Sequence, residues 1–154
     1  MKFKVLMVGK TKDDWIKQGI AVYLKRLQPL AKLELVELPD ASLRTSSDIR
    51  QVRQKEAATC LKQLSPEDYL VLLDVQGATK TSLEFAAFLA SLSDNKNVVF
   101  LIGGVFGVDD TLRERANACL SLSALTYTHQ LARLILVEQL YRALMIQNKR
   151  SYHH

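Results

Sequence analysis

Apolar residues along the chain switch repeatedly between two spacings, and the switches mark out the elements. Lys2 to Val8 alternates and then turns β-rich as Val-Leu-Met-Val before Gly9, which predicts an opening strand closed by a turn. From Trp15 to Leu27 the apolar residues Ile16, Ile20, Tyr23, Leu24 and Leu27 recur at three and four. That spacing predicts an amphipathic helix, with Asp13 and Asp14 as N-cap candidates and Pro29 beyond its end. Leu33 to Leu38 predicts a second strand, closed by Pro39-Asp40. The stretch from Ala41 to Asp48, with Arg44 in it, is small and polar and reads as a mobile loop. Ser47 or Asp48 then caps a polar helix running to about Leu64.

Tyr69 to Val75 is continuously apolar until Asp74 and ends at Gln76-Gly77, as a strand covered on both faces should. Thr81 or Ser82 caps the next helix, through Leu92. Val98 to Ile102 predicts another buried strand, running straight into Gly103-Gly104-Val105-Phe106-Gly107. A short helix is expected from Asp109 or Asp110 to about Ala118, then a strand from Leu120 to Leu125, then a long helix from about Gln130 to Asn148. The alternation of strand and helix predicts an α/β fold with a mostly parallel sheet and helices on both faces. In such sheets ligands bind beyond the carboxyl ends of the strands.

Composition narrows the class. The chain has 154 residues, 48% hydrophobic and 24% charged, the balance of a soluble globular protein, and is expected to form one domain over 1–154. No apolar run approaches the roughly 18 residues of a membrane span, and the N-terminus lacks the pattern of a signal peptide, so a cytoplasmic protein with no membrane partner is expected. Cys60 and Cys119 lie far apart without metal-ligand spacing around them, which suits reduced, buried thiols and no metal site. The excess of 21 Lys and Arg over 16 Asp and Glu gives a formal charge of +5. A basic surface attracts polyanions, although clustering diagnoses nucleic-acid binding better than net charge does.

Four segments carry candidate chemistry. The glycine cluster after the Val98–Ile102 strand permits positive φ and close backbone approach. It has neither the dinucleotide nor the phosphate-loop spacing, and a tight structural turn would use the same glycines. Ser121-Leu122-Ser123-Ala124-Leu125-Thr126 alternates small hydroxyls, which fits an edge strand with locally satisfied hydroxyls or a polar pocket wall. The last helix, with His129, Arg133, Glu138 and Arg142, is too apolar for a solitary surface helix, so it crosses the core or forms an oligomer interface. Glu138 and Arg142 are spaced to pair, and His129 suits a structural role as well as proton transfer. The end of the chain, Lys149-Arg150-Ser151-Tyr152-His153-His154, fits a frayed tail, or a segment that contacts phosphate and stacks on an unpaired base.

Taken together, FLIGGVFG at Phe100 to Gly107, SLSALTYTHQLARLILVEQLYRA at Ser121 to Ala143, the terminal Tyr152-His153, the opening VLMVGK and LLDVQG at Leu72 to Gly77 resemble the large-subunit ribosomal RNA methyltransferase H family over the whole chain. That resemblance implies a SPOUT-type fold with a C-terminal trefoil knot, a homodimer, and S-adenosylmethionine as cofactor. It also implies methylation of N3 of a pseudouridine in large-subunit rRNA within the ribosome. By the same resemblance Leu73, Gly103, Gly104 and the stretch Ser123, Ala124, Leu125, Thr126, Tyr127 and Thr128 form the cofactor pocket. His153, Tyr152 and Arg142 are then expected at the chemistry, His153 handling the proton, with Arg133, Lys149 and Arg150 on RNA. The rival readings are a non-catalytic RNA-binding or assembly factor that kept the fold, and a transfer-RNA methyltransferase, which would need an added RNA-binding domain.

Overall fold

A computed structural model describes residues 1–41, 48–92 and 97–154. The elements follow in the order β1 (Lys2–Val8), α1 (Asp14–Leu27), β2 (Lys32–Leu38), α2 (Ile49–Leu61), β3 (Tyr69–Thr79), α3 (Ser82–Ser91), β4 (Asn97–Ile102), α4 (Asp110–Arg115), β5 (Ala118–Ser121) and α5 (His129–Gln147). Local chemistry sets their starts. The side chain of Asp48 accepts from the Arg50 N–H, Asp109 from Thr111 and Thr128 from Leu131, while Thr81 and Glu84 close a capping box on α3. Of the loop expected over Ala41 to Asp48, Arg44 and the alternative cap Ser47 lie outside the described residues.

All five strands are parallel, in the order β2-β1-β4-β3-β5. Going along the chain, the sheet position moves one way through α1 and α3 and the opposite way through α2 and α4. Right-handed crossovers therefore place α1 and α3 on one face and α2 and α4 on the other. The packing agrees, since α1 and α3 both lie against α5 while α2 meets α4. Strand side chains divide with period two between these layers. Phe3, Val5, Met7, Val71, Phe100 and Ile102 pack with α5, whereas Leu6, Val8, Leu70, Leu72, Val99 and Leu101 pack with Ala57, Cys60 and Leu112.

Some elements end elsewhere than the pattern of residues predicts. The last strand is Ala118–Ser121, not Leu120 to Leu125, and α4 stops at Arg115. Asn117 causes this: its N–H donates to the Leu70 carbonyl while its side chain accepts from the Leu70 N–H, which pins the chain to β3 just before β5 begins. β3 in turn runs past Val75 to Thr79, with a bulge over Asp74 to Gly77 opposite Leu120. Gly77 is required there, because a Cβ would stand 2.6 Å from the Leu120 backbone carbon. The bulge leaves Asp74 and Val75 projecting beyond the ladder at the carboxyl end of the sheet.

Candidate active site

A cleft of about 600 Å³ opens beyond the carboxyl ends of β3 and β4, within the volume range of small-molecule sites. Its walls are Leu73, the turn at Gly103 and Gly104, and the loop between β5 and α5. Of the residues expected to hold a cofactor, Leu73, Gly103, Gly104, Ser123, Leu125, Thr126, Tyr127 and Thr128 line it; Ala124 is exposed and does not. The loop holds its shape by its own hydroxyls, Ser121 Oγ donating to the Ser123 carbonyl and Ser123 Oγ accepting from the Leu125 N–H. The segment beyond Ser121 is thus a loop and not the edge strand expected there; the hydroxyls of Ser121 and Ser123 are satisfied locally, and the loop lines a cavity.

The glycine turn is equally built. Gly107, at φ +83°, returns its N–H to the Gly104 carbonyl, and Arg53 of α2 donates to the Phe106 carbonyl from outside. Across the mouth, Arg113 of α4 pairs with Asp74 of the bulge and donates to the Val108 carbonyl, tying α4, the turn and β3 together. Arg53, Asp74 and Arg113 are contributors that the linear pattern does not reveal, since the Arg53–Phe106 and Arg113–Asp74 contacts span 53 and 39 residues. Val105 and Leu125 stand exposed on the rim at 73% and 72%.

A second cleft, of about 680 Å³, lies beside the first. Lys10, Lys12, Glu37, Asp40, Glu56 and Phe106 line it, and it shares Gly104, Val105, His129 and Gln130 with its neighbour. Nothing in the sequence pattern predicts this cavity. Glu56 is buried there, with Oε2 accepting from the Ala41 N–H and Oε1 without a hydrogen-bond partner. Burial, and then the nearby Asp40 charge, raise its carboxyl above the usual range against the opposing pull of the Ala41 bond. His129 is held below the ordinary histidine range by burial and by the cations Arg133 and Lys12, so its imidazole is neutral at pH 7. Burial, with the Glu56 charge behind it, pushes the Cys60 thiol up to about 12, which keeps it a protonated core residue.

Arg133, expected on RNA, stands elsewhere: it is 0% exposed. Its guanidinium donates to Thr11 Oγ1 at 2.8 Å and to the Val8 carbonyl at 2.9 Å, fastening α5 to the end of β1. A group so enclosed makes no contact with a phosphate outside the subunit. Lys149 and Arg150 are exposed, as RNA contacts would need to be.

The expected catalytic residues come together, but away from both clefts. The Tyr152 hydroxyl donates to Glu138 Oε1 at 3.0 Å and lies 3.3 Å from the Tyr23 hydroxyl; its ring packs on Tyr141 with centroids 4.7 Å apart. Arg142 pairs with Glu138, covers the Tyr152 ring at 4.7 Å, and reaches His153 Nδ1 at 3.2 Å. Burial and the hydrogen bonds to Tyr23 and Glu138 drive the Tyr152 phenol well above its ordinary range. The tail is thus docked on α5 and α1, not frayed. Arg142 is thirteen residues beyond His129 on α5, about 20 Å along the axis at 1.5 Å per residue, and none of Arg142, Tyr152 and His153 lines either cleft of its own subunit.

The profile of the family described as "Predicted SPOUT methyltransferase" matches residues 1–153. Among curated proteins, the chain is 42% identical over 156 residues to "Ribosomal RNA large subunit methyltransferase H" of Trichlorobacter lovleyi, covering 100% of both. Proteins of the same name from Desulforamulus reducens and Bacillus pumilus are 42% and 39% identical over 158 residues, with 99% of each chain covered. Among solved structures, a probable methyltransferase from Bordetella pertussis superposes with a TM-score of 0.56 at 13% identity, covering 92% of this chain and 93% of that one. A probable methylase family protein from Haemophilus influenzae gives 0.55 at 12%, covering 99% and 70%. At those identities the structures speak for the fold alone.

Proposed function

The chain belongs to the SPOUT methyltransferase family, and on that premise we propose that it methylates N3 of a pseudouridine in large-subunit ribosomal RNA, on the assembled ribosome. The observation that carries the reading is that the glycine turn and the Ser123–Thr128 loop, far apart in sequence, build one cleft at the carboxyl ends of β3 and β4. S-adenosylmethionine fits its volume and backbone-rich lining, and when bound supplies a methyl group already activated by its sulfonium. Leu73, Gly103, Gly104 and the loop hold it by shape and main chain, with Asp74 and Arg113 fixing the mouth. The protein's remaining task is to align the acceptor nitrogen and manage its proton and developing charge.

The tail serves the charge, not the proton. Arg142 is permanently cationic, the Tyr152 hydroxyl is committed to Glu138, and His153 Nδ1 receives an Arg142 N–H, which in the neutral ring leaves the proton on Nε2. The outward face of the tail therefore donates hydrogen bonds and positive charge to an anion. Because it lines neither cleft of its own subunit, it acts at the cleft of a second subunit. The single-domain subunits form a cytoplasmic homodimer, and the family's C-terminal trefoil knot belongs to the same reading. In each site one subunit holds the cofactor while Tyr152, His153 and Arg142 of the other meet the RNA, with Lys149 and Arg150 beside them on phosphates.

Mass spectrometry of ribosomal RNA from cells lacking the gene tests the activity: one methyl group on one large-subunit pseudouridine should disappear. Calorimetry with S-adenosylmethionine separates this reading from a non-catalytic RNA-binding protein of the same fold, which would give no saturable heat.

A further inference from the structure

We infer that the second cleft receives the nucleotide to be methylated, and that His129, on the ridge between the two clefts, accepts the proton its ring nitrogen gives up. The inference rests on the methyl-transfer reading above and assigns the acceptor's place and the base, which that reading leaves open. Two ligands, one in each cleft, can meet only at the wall the clefts share, which is Gly104, Val105, His129 and Gln130. Of these four only His129 can take a proton at neutral pH.

The second cleft has the chemistry of a nucleotide site. Lys10 and Lys12 are exposed on one wall, placed for a phosphate, and Phe106 offers a ring on which a base can stack. The carboxylates of Asp40 and Glu56 accept N–H groups, and the unpartnered Oε1 of Glu56, in a residue 6% exposed, marks a polar demand that the protein alone leaves unmet. A pseudouridine carries one more ring N–H than a uridine, so carboxylate acceptors in this cleft favour the former.

Neighbouring hydrogen bonds fix the tautomer of His129. The Gln130 side chain is oriented at both ends, its Oε1 accepting from the Lys12 N–H and its Nε2 donating to the Lys10 carbonyl, each at 2.9 Å. The remaining amide hydrogen of Gln130 faces His129 Nε2 at 3.4 Å, so Nε2 is the ring nitrogen with the free lone pair. The contact is long, and an incoming N–H displaces it at little cost. In the step, the proton leaves the base nitrogen for Nε2, the electron pair left behind forms the bond to the methyl carbon, and the C–S pair departs on sulfur. Arg133 from α5, Lys10, Lys12 and Asp13 from the β1–α1 turn, Glu37 from β2, Asp40 after β2 and Glu56 from α2 are the charged groups of the clefts around this position. Arg133 and Lys12 oppose the imidazolium, so it sheds its proton to solvent once product forms.

The test uses the full-length protein, large ribosomal subunits lacking the modification, and pseudouridine 5′-monophosphate as a probe without cofactor. His129→Gln should melt and bind S-adenosylmethionine like wild type, yet slow single-turnover transfer about 100-fold at neutral pH, with the deficit shrinking as pH rises. Nitrogen NMR should find His129 Nε2 unprotonated in the free protein and shifted by millimolar probe, and the joint substitution Lys10→Glu and Lys12→Glu should abolish that shift. Wild-type transfer by His129→Gln, or a deficit equal at every pH, overturns the proton role; an Nε2 resonance unmoved by the probe overturns the placement. If wild type methylates no ribosomal subunit while the probe still shifts Nε2, the methyl-transfer reading has failed and the cleft assignment stands.

Discussion

Gly104 stands at the contact between the two clefts, and its lack of a side chain matters for a reason different from the one a glycine turn suggests. Its φ is not in the left-handed region; instead a Cβ would lie 3.1 Å from Glu56 Oε1 and 3.2 Å from Val8 Cγ1. Gly104→Val therefore forces the turn away from α2 and should cost about 1–3 kcal/mol of stability while weakening cofactor binding at least tenfold. Calorimetry and thermal melting check both, and unchanged affinity with a normal melting temperature would remove the turn from the site. Glu56 makes a separate prediction. Its folded carboxyl titrates above the unfolded value near 4.5, so the native state holds the proton more tightly than the unfolded chain does. Stability from this group is present below about pH 4.5 and is lost as pH rises through the folded value, the reverse of a salt-bridged acid. Urea unfolding across that interval should show a decline in wild type that Glu56→Gln abolishes.

In α5 one helix serves two places. Its first turn presents His129 and Gln130 to the clefts, its middle buries Arg133, Leu136, Val137 and Leu140 against the sheet and α1 and α3, and its later turns hold the tail through Glu138 and Arg142. The periodicity of the segment is blurred because it is covered on more than one side, which is why its apolar content reads as either core or interface. The docking of Tyr152 changes the expectation for the tail: truncation removes a ring packed on Tyr141 and a hydroxyl bonded to Glu138, and should cost about 1–2 kcal/mol, not nothing. Deleting Tyr152 to His154 should lower methyl transfer on the order of 10² to 10³-fold and leave cofactor affinity intact. Single-turnover assays beside calorimetry and melting curves separate the two effects. A deletion that transfers at the normal rate would reduce the tail to a structural cap.

As a whole the subunit is asymmetric in what it offers. The cleft proposed for the cofactor lies at the start of α5, whereas Arg142, Tyr152 and His153 cluster toward its end and line no part of that cleft. Two copies related by a twofold axis can bring them together, since each then presents its tail to the other's cleft. The expected outcome is a dimer in sedimentation at micromolar concentration. A sharper check, at a cofactor concentration too low to fill the Gly104→Val site, mixes Gly104→Val subunits with subunits lacking Tyr152 to His154, each strongly impaired alone. Half of a random mixture is heterodimer and each heterodimer contains one complete site, so about a quarter of wild-type sites should be restored. No recovery after confirmed subunit exchange would place the tail's action within its own subunit.

Strand and helix identity were legible in the residues because hydrophobic spacing is a local record of which faces will be covered, and the caps at Asp48, Thr81 and Thr128 are equally local. The glycine turn and the hydroxyl-rich loop announced themselves by composition, and resemblance joined them into one pocket. Only the tertiary structure could show that Arg133 is buried, that Asp74 and Arg113 close the cleft mouth, and that Glu56 and His129 frame a second cavity beside it. Each of those facts depends on pairs separated by tens of residues and brought together by the crossovers. Spacing along a chain says what repeats with a helix or strand period, while burial, partnership and enclosed volume arise from where the elements pack, and there a charged side chain read as a surface contact can become a buried clamp.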